Sequence, residues 1–205
     1  MKTISKIIIL VAIVFQSMTV FSQSGDLQKA FVESYTQEYN KKYTEAIASL
    51  VKVYSEKSYE INLRLGWLSY INGNYPQSQS YYQKAINLKS YSIEAKLGMI
   101  KPLSALESWD KVLLQYEEIL KIDPQNANTN YWAGIIYYNR KKYETAAKYF
   151  EKGVNLYPFD YDSNHMLGWT YLNLGRAQDA KTLFKKALLS HPGDASATDG
   201  LSKCK

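Results

Sequence analysis

Cysteine is nearly missing from this chain of 205 residues: Cys204, next to the last position, is the one thiol. With no partner it excludes an internal disulfide framework and reads as an exposed, unremarkable thiol at the tail. Histidine occurs only at His165 and His191, neither in a metal-spaced cluster nor near the cysteine in sequence. That leaves no pattern for a metal site or a Cys–His nucleophile. The ten glycines are scattered, so a glycine-rich phosphate loop is absent. Arginine is confined to Arg64, Arg140 and Arg176 and the lysines are spread along the chain, which argues against the forked phosphate contacts of a nucleic-acid reader. Carboxylates such as Glu33, Glu38, Glu117 and Glu118 fall in helical stretches where charge is ordinarily solvated. The absence of Asn-x-Ser/Thr acceptors favours a bacterial source. The expectation is a protein that is not an enzyme and needs no cofactor, metal or nucleic acid.

Long apolar runs are also lacking, except at the start. Lys2 and Lys6 precede an apolar run from Ile7 to Val14, and a more polar stretch leads to Val20, Phe21 and Ser22. This is the layout of a secretory signal peptide over residues 1–22 with a cut before Gln23. A bilayer span needs about 20 apolar residues and this run is shorter, so no stable membrane span is expected after cleavage. No cysteine follows the run to take a lipid. The mature chain is expected in the periplasm or outside the cell. Cleavage removes two lysines and no acids, so the positive surplus falls from six to four. The pairs Lys41-Lys42 and Lys141-Lys142 read as solvated charge in turns between helices.

What the chain does have is a period. Ser24, Ser58, Ser92, Asn126, Asp160 and Asp194, all helix-capping residue types, stand 34 residues apart. Tyr82, Tyr116, Phe150 and Phe184 keep the same step, as do Pro124, Pro158 and Pro192. A fixed period of this length marks a stacked repeat. The copy from Asp160 to Gly193 reads as a cap, a first helix with Leu167, Gly168 and Tyr171, a break at Leu174 and Gly175, and a second helix with Ala180, Phe184 and Ala187 that ends before Pro192. The unit is a helical hairpin whose helices cross closely at Gly168 and Ala180.

These residues resemble the tetratricopeptide repeat over about 170 residues. Leu65-Gly66, Ala133-Gly134 and Leu167-Gly168 match its Leu-Gly element, Tyr137 and Tyr171 its tyrosine, and Ala146 and Ala180 its alanine. The resemblance implies an all-α fold, a right-handed α-solenoid of about five helical hairpins with a C-terminal capping helix. The repeat domain is expected over 23–194, with repeats near 25–57, 58–91, 92–125, 126–159 and 160–193 and a capping helix and tail over 194–205. In the first repeat, Tyr43, Ala46 and Leu50 come two residues later than the period demands, which predicts a longer connection near Asn40 to Lys42. In the third, the strict period puts Ile100 in the glycine's place, with Met99, Leu103 and Leu106 as the buried stripe. Pro102 then falls inside a helix, four residues after Gly98, and a kink is expected.

On each first helix, the places four before, one before and three after the glycine share the side packed on the partner helix. The places three before, one after, four after and five after share the adjacent side. By the family resemblance that side lines a concave groove for extended peptides or partner helices. It reads Leu63, Trp67, Tyr70 and Ile71 in the second repeat, Tyr131, Ile135, Tyr138 and Asn139 in the fourth, and His165, Trp169, Leu172 and Asn173 in the fifth. The family's usual tryptophan place holds Asn62, Asn130 and Asn164, while Trp67 and Trp169 follow the glycine and so change face; packing against the next repeat is the alternative use of their area. The lysine and asparagine with which some family members clamp a carboxylate terminus are replaced here by Leu63, Tyr131 or His165 and by Trp67, Ile135 or Trp169. The reading is an exported scaffold that binds a protein or peptide partner through an aromatic strip, with a glycan stacked on the same aromatics as the alternative partner.

Overall fold

The computed structural model describes residues 25–205, so the leader expected at 1–22 and the cap at Ser24 lie outside the described residues. The described residues divide into two compact units, one ending at Pro102 and the other spanning Leu103–Lys205. Among the described residues every regular element is a helix. The first unit holds α1 (25–39), α2 (Tyr43–Val51), α3 (Tyr59–Ile71), α4 (Tyr75–Leu88) and most of α5 (Ile93–Ala105), which continues past Pro102. The second holds α6 (Trp109–Ile122), α7 (Ala127–Asn139), α8 (Tyr143–Leu156), α9 (Tyr161–Asn173), α10 (Ala177–Ser190) and α11 (Ala195–Lys203).

The helices α3, α5, α7, α9 and α11 each start one residue after a predicted cap, and the caps work as such. Ser58, Ser92, Asn126, Asp160 and Asp194 accept from the backbone N–H three residues on, at 3.2, 3.0, 3.0, 2.8 and 2.7 Å. An exposed amide is thereby satisfied at each start, worth about 1 kcal/mol apiece.

The second helices have a different punctuation. Between the helices of every hairpin lies a three-residue turn whose middle residue, Lys41, Gly73, Glu107, Lys141 or Gly175, has positive φ. That residue's N–H returns to the carbonyl three back, and the next N–H to the carbonyl five back, as in Lys141 to Tyr138 (2.8 Å) and Lys142 to Tyr137 (2.9 Å). This is the Schellman closure, which satisfies free carbonyls and reverses the chain in one step.

Packing explains the glycines. The Tyr82 ring lies against both Gly66 and Gly98, Phe150 against Gly134, and Phe184 against both Gly168 and Gly200; a methyl at any of these five would overlap the ring. In α4, α8 and α10 an aromatic is thus seated on glycine of its own first helix and, for Tyr82 and Phe184, on glycine of the following one. In the second unit this builds a core of Phe150, Phe184, Leu167 and Leu183 around small Ala146, Ala180 and Ala187. In the first unit Leu50, Ile61, Leu65 and Leu68 close on Ala30 and Ala46.

The asparagines that replace the family's tryptophan have a definite task. Asn62, Asn130 and Asn164 are fully buried. The amide of each donates to the carbonyl of the cap four back and to that of residue 56, Pro124 or Pro158, six back, at 2.7 to 3.1 Å. One side chain therefore ties down the loop that enters the repeat: it satisfies the carbonyl six back, which the helix ladder does not reach, and adds a second donor to the cap carbonyl that already accepts the first backbone bond of the helix.

Three sequence expectations need correction. The connection at 40–42 is no longer than the other turns; instead the register of α1 and α2 is displaced by two residues, and the difference is absorbed after the turn, where α2 has 9 residues against 14 in α4 and the connection that follows has 7 against 4. In the third repeat α5 keeps the strict frame, and Met99 and Leu103 are buried, but Leu106 lies in the turn and is exposed. Cys204 is buried, its thiol donating to the Gly200 carbonyl at 3.2 Å, because the end of α11 folds onto the Phe184 cluster; burial pushes the thiol pKa up.

Candidate functional site

In the first unit, α1, α3 and α5 enclose a cleft of about 810 Å³. Its walls are apolar: Phe31 and Tyr35 from α1, Leu63 and Trp67 from α3, Ile93 and Leu97 from α5, with Tyr82 at its base. The repeat dictates this alignment. Leu63 and Leu97, and Trp67 and Lys101, occupy equivalent places 34 residues apart, and Phe31 and Tyr35 are their counterparts once the two-residue displacement of the first hairpin is applied.

A buried charge network fixes the Trp67 indole. Its Nε1–H donates to Glu38 Oε1 at 2.5 Å, and the same carboxylate pairs with Arg64. Arg64 is only 7% exposed; its Nε donates to Ser34 Oγ at 3.1 Å and its guanidinium lies 3.8 Å from the centre of the Tyr35 ring. A buried guanidinium is tolerable only with such partners. The edge of Trp67 is thereby anchored while its face meets the cleft, with the Lys101 ammonium 5.5 Å from the ring centre.

The other charges of the cleft lie at the opposite end, where α3 and α5 begin. Glu60 is paired with Lys89 at 3.3 Å; a hydrogen bond from its own backbone N–H, helped by Lys89, holds its carboxyl below the usual range. Glu94 accepts from the Tyr59 hydroxyl at 3.1 Å, and Tyr59 also shares a 2.7 Å hydrogen bond with Ser92. Burial raises the Tyr59 pKa, so the hydroxyl keeps its proton and remains a donor.

Of the residues read from the sequence as groove, Leu63 and Trp67 line this cleft. Tyr70 lies between Trp67 and Tyr75, with ring centres 5.8 and 5.9 Å away, and Ile71 packs on the core of the first unit. In the second unit Tyr131 sets its edge on Phe150 at 5.9 Å, and Tyr138 packs on Tyr143 and accepts from Asn173 at 3.2 Å. Ile135 and Asn139 line a separate hollow of about 420 Å³ with Trp109, Tyr116 and Trp132. His165 and Trp169 meet the capping helix: Trp169 Nε1 donates to His165 Nε2 and Ser196 Oγ, both at 3.1 Å, while its ring stands edge-on to Phe184 at 5.3 Å. In that network Nε2 accepts and the His165 proton belongs on Nδ1.

Sequence reasoning passed over Phe31, Tyr35, Glu94, Leu97 and Lys101. Adding 34 to Leu63 and Trp67 gives Leu97 and Lys101 directly, so the signal was present. Among the described residues no group of three or more His, Cys, Asp or Glu is placed to hold a metal ion, and no helix is long and apolar enough to cross a membrane.

Caps, Schellman turns and glycine-seated aromatics at a 34-residue step define a helical-hairpin repeat protein. Residues 59–91, 127–160 and 149–182 each match a family model described as tetratricopeptide repeat. These three stretches are therefore similar to tetratricopeptide repeats, and repeats of this kind indicate a protein–protein interaction scaffold, typically without catalysis. No curated protein matches the sequence. Among solved structures it is similar to a crystal structure of MamA protein (TM-score 0.71, 18% identity, 84% of this chain and 95% of that one). It is also similar to a tetratricopeptide repeat protein from Parabacteroides merdae (0.73, 16%, 88% and 72%). A third similar structure is a MamA from Desulfovibrio magneticus (0.68, 17%, 83% and 97%). At these identities the likeness is one of fold.

Proposed function

We propose that this chain is an exported scaffold that holds an extended segment of a protein partner in the cleft between α1, α3 and α5. The observation that carries the reading is the Trp67 indole, anchored at its edge by Glu38 and presenting its face to an apolar hollow. A rigid aromatic already locked in position loses little entropy on binding, and such residues dominate interface energy. The size agrees: 300–1,000 Å³ suits a small ligand, hence a few residues of extended chain rather than a helix of 10–12 Å diameter. Export rests on the leader-like start at 1–22.

The test is capture of the partner from an extract of the producing cells. Leu63→Asp and Leu97→Asp should each abolish capture with helical content unchanged, and Trp132→Asp in the other unit should not. Capture that survives both leucine changes in folded protein would refute the assignment.

A further inference from the structure

Resting on that reading of the cleft, we infer that its occupant is a dipolar segment, with a basic and an acidic side chain about three residues apart and apolar residues between. Most charges around the cleft are already matched. Arg64 is paired with Glu38, and Glu60 with Lys89. Among the described residues two are not: Glu94, which accepts from the neutral Tyr59 hydroxyl, and Lys101, which rests over the Trp67 face without an acidic partner. Both are exposed and both line the cleft.

Their spacing sets the register of the occupant. Glu94, Leu97 and Lys101 step by three and four along α5 and so share one helix face. Seven residues at 1.5 Å per residue separate the two charges by roughly 10 Å along the axis. An extended chain covers that span in about three residues. A basic side chain at Glu94 and a carboxylate at Lys101 would therefore bracket two residues lying against Leu63, Leu97 and Trp67. The carboxylate would replace water around an ammonium already held at an aromatic face, where the charge is less well solvated than in the open.

Fluorescence anisotropy of the full chain with labelled octapeptides tests this. The probes carry Arg-Leu-Leu-Glu, Glu-Leu-Leu-Arg, Gln-Leu-Leu-Gln, Arg-Leu-Leu-Arg or Glu-Leu-Leu-Glu between Gly-Ser flanks. One of the two dipolar orders should bind about three- to tenfold more tightly than the neutral peptide at low salt, the advantage fading as salt rises. Lys101→Glu should shift preference to the doubly basic peptide. Glu94→Gln, which keeps an acceptor for Tyr59, should remove the advantage of the basic end alone. If all peptides bind equally and Leu97→Asp abolishes them, the cleft binds segments but the dipolar inference is overturned. If none binds, or binding survives Leu97→Asp, the cleft reading falls with it.

Discussion

Trp67 and Lys101 occupy the same place in successive repeats, and the Lys101 ammonium stands 5.5 Å from the centre of the Trp67 ring. The contact joins α3 to α5 across the cleft with an attraction of about 0.5–1 kcal/mol at such an exposed site. Lys101→Gln should therefore lower stability by no more than about 1 kcal/mol in urea unfolding. A larger loss would mean that Lys101 is a structural strut and not a group left available to a ligand.

The hairpin turns offer a sharper stability test. Lys141 and Glu107 hold left-handed backbone conformations that Gly73 and Gly175 supply in equivalent turns. A left-handed L-residue costs about 1–2 kcal/mol, offset in part by the greater unfolded freedom of glycine. Lys141→Gly and Glu107→Gly should each stabilise by about 0.5–1 kcal/mol, and Gly175→Ala should destabilise. Denaturation midpoints moving the opposite way would contradict the turn geometry.

Glycines under aromatic rings should tolerate no methyl. Gly98→Ala and Gly200→Ala place a carbon inside the rings of Tyr82 and Phe184, and overpacking of this kind costs about 1–3 kcal/mol. Gly25→Ala, with open space around it, should be neutral or slightly stabilising. Thermal melting of the three variants distinguishes a ring-seating glycine from one that only permits a helix.

Burial of His165 against Tyr161, Trp169 and Phe184 holds its pKa below the ordinary 6.5, with Asp194 and Asp162 opposing in part. The folded state thus favours the neutral ring. Its contribution is complete above about 6.5 and is lost as pH falls through the lower folded value. NMR titration should place the His165 midpoint below 6.5, and His165→Gln should remove that part of the acid sensitivity. A midpoint above 6.5 would overturn the buried, accepting role of Nε2.

Export is tested separately. Protein recovered from its native host should have an intact mass that starts at Gln23, and a form retaining Met1 to Ser22 would refute cleavage.

The repeat could be read because its punctuation is local. Ser58, Asn126 and Asp160 declare helix starts through their own side-chain oxygens, and Gly66, Gly134 and Gly168 declare the close crossings. The cleft was only half legible. Leu63 and Trp67 lie where the period is clean, but their partners Phe31 and Tyr35 sit in a hairpin displaced by two residues, and Lys101 sits beside Pro102, where the glycine that marks the frame is replaced by Ile100. Cys204 misled because a terminal position says nothing of the Gly200 carbonyl and Phe184 cluster that bury it. The asparagines at 62, 130 and 164 were noticed as departures, yet one of the two bonds of each runs to a loop carbonyl six residues back that only the folded turn brings within reach.

Site-specific photocrosslinking in the producing cells tests the central claim most directly. A photoreactive phenylalanine analogue at Leu97 or Leu63 should give one discrete adduct with a protein partner, and the same probe at Lys148 or Trp132 should give none. Adducts arising only from Lys148 or Trp132, with Leu97 and Leu63 silent in folded protein, would contradict the assignment of the cleft as the partner's seat.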